Sequence, residues 1–95
     1  SMARTNLTGV SSPASADPLY EDREMTLNRS VDTLKSISGL QEHTTAALGH
    51  PSGTLDASIL GMKEVVVNVA SEMTGGQLDR TREELSKRGL GDLLD

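Results

Sequence analysis

The chain has 95 residues, no cysteine, no Phe or Trp, and a single aromatic residue, Tyr20. Disulfides, thiol chemistry and thiolate metal sites are therefore excluded, and a core must be built from Leu, Val, Ile, Met and Ala. A formal net charge of -5 argues against a grip on nucleic acid or an anionic lipid surface, since both require clustered Lys and Arg.

Residues 1–17 are dominated by Ser, Thr, Ala, Pro and Gly and show no sustained period, so they read as a disordered tail preceding one helical domain at 18–95. Asn6-Leu7-Thr8 has the form of a glycosylation sequon, but no apolar segment of a signal peptide accompanies it, and an intracellular, soluble location is expected. No apolar run approaches the roughly 20 residues that a bilayer span needs, so direct membrane insertion is not expected.

Asp17-Pro18 marks a helix start. Asp17 serves as N-cap, Pro18 takes the first helical position, and Glu21 and Asp22 place negative charge near the positive end of the helix dipole. Tyr20, Leu27, Val31 and Leu34 follow at helical spacing with Met25 beside them. The stripe then steps by three through Ile37 to Leu40 and rotates around the helix. Gly39 costs up to about 1 kcal/mol relative to Ala and weakens the middle, so a long, imperfect helix with room to bend is expected over 18–48. Gly49 supplies the left-handed position after the last turn, and Pro51 cannot continue the helix.

The second helix is expected to begin at Thr54 as N-cap, with Asp56 close behind. Leu55, Ile59, Met62, Val66, Val69 and Met73 alternate in spacing between four and three, as in a coiled-coil seam. The β-branched run Val65-Val66-Val67-Asn68-Val69 also suits a strand, but the heptad spans the whole stretch and no second strand signal exists to pair with it. The five-residue connection Gly49 to Gly53 implies antiparallel neighbours, so the seam packs on the preceding helix.

Gly75-Gly76 interrupts this helix. Thr74 and Gln77 have capping-box spacing, and a third helix is expected over Leu78 to Arg88 with Glu83–Lys87 and Glu84–Arg88 pairs worth roughly 0.2 to 0.5 kcal/mol each. Residues 18–48 extend about 46 Å as helix, and 54–88 extend about 52 Å if the second and third helices are roughly collinear. Leu90, Leu93 and Leu94 have the form LxxLL, but Gly91 disfavours a docking helix, and a packing or frayed end is expected.

Chemistry is sparsely represented. His43 falls in a polar part of the first helix and His50 in the loop; no carboxylate pair has apolar surroundings and no Ser/His/Asp set is evident. No catalytic residue, cofactor or metal site is expected. Gly75-Gly76 lacks the strand and the Lys-Ser/Thr pair of a phosphate loop, and Met25, Met62 and Met73 read as core filling.

Glu21-Asp22-Arg23, Leu27, Val31, Leu34-Lys35-Ser36 and Ile37 together resemble the first half of a SNARE motif, and Gln77-Leu78-Asp79-Arg80-Thr81 resembles the stretch around the middle of one. The resemblance implies membrane-fusion machinery in which helices zip into a parallel four-helix bundle around a polar layer. From the residues themselves, the expected fold is all-α: an antiparallel helical hairpin with a short third helix, assembling into a four-helix bundle or coiled coil. The expected function is a non-enzymatic interaction or oligomerisation module. Its seam, formed by Leu27, Val31, Leu34, Leu55, Ile59, Met62, Val66, Val69 and Met73, is buried against the hairpin itself and against a second copy or a helical partner.

Overall fold

The computed structural model describes residues 18–95; the expected tail, the Asn6 sequon and the Asp17 cap lie outside the described residues. Three helices follow in order, α1 (Pro18–Leu48), α2 (Gly53–Met73) and α3 (Leu78–Lys87), and a short 3-10 turn at Gly91–Leu94 ends the chain. Among the described residues there is no strand, and the valine run lies within α2.

Gly39 does not interrupt α1, which is one helix of 31 residues. Gly39 is exposed and a side chain there would touch nothing, so its weakness is confined to propensity while the turns on either side pack on α2. At Gly49 the backbone takes φ 81° and ends the helix as predicted.

The start of α2 differs from expectation. Ser52, not Thr54, is the N-cap: its hydroxyl accepts from the Leu55 backbone N–H at 3.3 Å, and helix begins at Gly53. Ser52 holds that place because Gln41 of α1 already grips its backbone. The Ser52 N–H donates to Gln41 Oε1 at 3.1 Å, and Gln41 Nε2 donates to Ser52 O at 3.0 Å.

α1 and α2 lie antiparallel. Arg23 Nη1 donates to Glu72 O at 3.5 Å near one end, and Gln41 Nε2 donates to Asp56 Oδ1 at 2.5 Å near the other. Leu27, Val31 and Leu34 from α1 meet Val66, Ala70 and Met73 from α2 and Leu85 from α3 in one buried cluster. Leu27, Val66 and Leu85 are fully buried, and each contributes roughly 1.5 to 3 kcal/mol relative to an exposed side chain.

α2 and α3 are not collinear. Gly75 and Gly76 both adopt positive φ, 67° and 81°, a conformation open to glycine at little cost, and the chain folds back along the hairpin. Thr74 therefore caps the end of α2 instead of opening a capping box for α3. Its hydroxyl lies 3.2 Å from the Ala70 carbonyl and 2.5 Å from the Thr81 hydroxyl, while Gln77 precedes α3 without a side-chain cap bond.

The fold is elongated, with extents of 59 × 26 × 17 Å. Its radius of gyration is 17.3 Å. A compact chain of this length would have about 12 Å. Buried apolar side chains are confined to the half of the hairpin that α3 covers.

Candidate functional site

The seam identified from the sequence divides into two groups. Leu27, Val31, Leu34, Val66 and Met73 are buried within the chain, whereas Leu55, Ile59, Met62 and Val69 remain half-buried. The first group faces the hairpin's own interior. The second group lies where α1 and α2 pack with no third helix, or at the edge of their interface.

On the covered side, α3 is held to α1 by polar contacts centred on Arg88. Its Nε donates to Asn28 Oδ1 at 2.8 Å, its Nη2 lies 3.7 Å from Glu24 Oε2, and its Nη1 donates to Glu84 Oε1 at 3.0 Å and to Glu84 O at 2.8 Å. Lys87 turns to Glu84 at 3.1 Å and not to Glu83 as expected. Burial works to raise the pKa of Glu84, but the hydrogen bonds from Arg88 and Lys87, aided by their charges, outweigh it and hold the carboxyl below its ordinary value. The bond to Glu84 in turn raises the pKa of Lys87. Glu84 and Arg88 are largely buried, Lys87 and Asn28 lie at the surface, and together these groups form a structural clasp.

Beyond α3, the 3-10 turn lays Leu93 and Leu94 half-buried against the core, which places the LxxLL leucines in packing. Two shallow grooves flank Leu93. One runs along α2, lined by Leu60, Lys63, Glu64, Val67, Asn68 and Leu93. The other lies towards α1, where Leu34, Gly39 and Leu90 meet Lys35, Glu42 and Asp92. Both are rimmed by charge.

Several large apolar side chains stay open to solvent: Met25, Leu40, Leu48, Leu60, Val65 and Leu78. Leu60 is 62% exposed and Val65 42% exposed, on opposite sides of α2. His43 is exposed, and His50 sits in the exposed loop with Nδ1 3.0 Å from Pro51 O. The two stretches that resemble a SNARE motif fall on separate elements, α1 and the start of α3.

Sequence reasoning missed the Gln41 interlock, the Thr74–Thr81 contact and the reach of Arg88 to α1. Gln41 carried a readable signal, since it follows Leu27 and Leu34 at intervals of seven and so occupies a core-facing position. No protein-family model matches the chain, and no curated protein or solved structure matches it. Among the described residues, no helix is long and apolar enough to cross a membrane.

Proposed function

We propose that this chain is a non-enzymatic helical interaction or oligomerisation module, a scaffold or assembly subunit that completes its apolar surface against a second copy or the helix of a partner. One observation carries this reading. The fold extends 59 Å along its longest axis, yet along α1 the buried apolar cluster ends at Leu34, and Leu40, Leu48, Leu60 and Val65 are left exposed around a half-buried remainder of the seam. Two helices alone cannot cover apolar stripes as wide as these, and in helical bundles further helices supply the cover.

Self-association is tested by light scattering on a sizing column together with thermal melts over a hundredfold range of concentration. An oligomer should be seen whose midpoint rises with concentration, as mass action requires. A monomer with a fixed midpoint across that range would remove self-association and leave only a foreign helical partner.

A further inference from the structure

The hairpin has two long sides, and they differ in charge. On the side that carries α3, the open surface is broken by Lys35, Glu42, Lys63, Glu64 and Asp92. On the opposite side, helical geometry at 100° per residue places Thr26, Ser30, Thr33, Ile37, Thr44 and Leu48 of α1 next to Leu55, Ser58, Met62, Val65 and Val69 of α2. None of these positions is charged, although the chain as a whole carries -5. Arg23 and Glu72 close the strip at one end, where the Arg23 guanidinium donates to the backbone carbonyl of Glu72.

The polar groups on this strip are small, and the hydroxyls of Thr26 and Thr33 are already satisfied. Thr26 Oγ1 donates to Asp22 O at 2.9 Å and Thr33 Oγ1 to Arg29 O at 3.0 Å, so each hydroxyl keeps a hydrogen bond when water is removed. Interface centres are depleted of charge for the same reason, because a desolvated unpaired charge costs more than the contact returns.

From these observations, and resting on the self-association reading above, we infer that the uncharged α1–α2 face opposite α3 is where a second copy of this chain docks. The two hairpins form a four-helix core with both α3 helices on the outside. Two properties favour a second copy as occupant. A net-negative chain meets itself with least repulsion where it bears no charge. The size also fits: residues 26–48 rise about 33 Å, and two helices side by side are about 18 Å across, giving about 600 Å² per copy and about 1,200 Å² in total. That area is at the lower end of specific interfaces, so a reversible dimer is expected rather than an obligate one.

The test uses sedimentation equilibrium on the full chain and on Val65→Asp, Thr33→Arg and Leu60→Asp. Val65 and Thr33 belong to the uncharged face on different helices, whereas Leu60 lines the groove on the α3 side; all three are exposed, so helicity by circular dichroism should be kept. The expected result is a dimer weakened at least tenfold by Val65→Asp and by Thr33→Arg, and unchanged by Leu60→Asp. A dimer weakened only by Leu60→Asp would overturn this face while leaving self-association standing. A wild-type chain that stays monomeric at several hundred micromolar would overturn both. If one of the two face variants loses helicity, the other decides.

Discussion

The two ends of the hairpin solve the same problem by different means. At the end that α3 covers, Leu27, Val31, Val66, Ala70, Met73 and Leu85 converge from three helices, and Arg88 ties α3 back to Asn28 and Glu24. At the loop end, the same two helices continue without a third, Ile59 and Leu55 are only half-buried, and one residue, Gln41, links them by donating to Ser52 O and Asp56 Oδ1 and accepting from the Ser52 N–H. The width of the apolar stripe is therefore not what closes a core. A third element is needed to shut out water from the side, and where it stops, polar contacts set the register instead.

The largest effect should come from removing the third element's anchor. Leu85→Ala leaves a cavity among Leu27, Val66 and Met73, and it should cost about 3 kcal/mol in urea unfolding, within the usual 2 to 5 for such changes. The same change at the loop end, Leu55→Ala, should cost about 1 kcal/mol, because that side chain is only partly removed from water. Equal losses at the two positions would mean that the loop end is as well packed as the covered end.

Gln41→Ala should have a smaller effect, about 1 kcal/mol, because it removes three hydrogen bonds at a site where water can partly replace them. Its consequence should be local. Amide exchange should quicken in the connection and first turns of α2, from Ser52 to Ile59, while the amides of Val66 to Met73 stay protected. Uniform loss of protection along α2 would show that the two ends open as one unit.

Much of this division was readable from the residues. The helix boundaries of α1, the closing role of Gly49 and the antiparallel pairing follow from local signals: a Pro start, a left-handed glycine, a five-residue connection. The path of the chain after Met73 was not readable. A Gly-Gly pair is equally compatible with a collinear junction and a reversal, and the choice is made by Leu85, whose burial against Leu27 and Val66 requires α3 to return along the hairpin. Arg88 was legible only as one half of a helix-surface pair with Glu84, because its contact with Asn28 spans 60 residues of sequence and depends on that reversal. The seam shows the same limit. Its spacing identifies which residues share a face, but whether the face is covered depends on how far α3 extends.

The smallest effect concerns acid, and it separates the two ends again. Burial of Glu84 favours its neutral form, yet the bonds from Arg88 and Lys87 prevail and lower its pKa in the folded state. The unfolded chain therefore binds the proton more readily than the folded one, so the contribution of Glu84 is present above the unfolded carboxylate pKa and is lost as pH falls through the lower folded value. Melts between pH 6 and pH 3 should show stability declining through this acid range, and Glu84→Gln should flatten part of the decline. Because the clasp joins α3 to α1, the first loss of protection on acidification should be in Leu78–Lys87, ahead of the Gln41 interlock. If acid instead opens the loop end first, or if Glu84→Gln leaves the profile unchanged, the clasp does not govern the covered end and apolar packing around Leu85 holds α3 by itself.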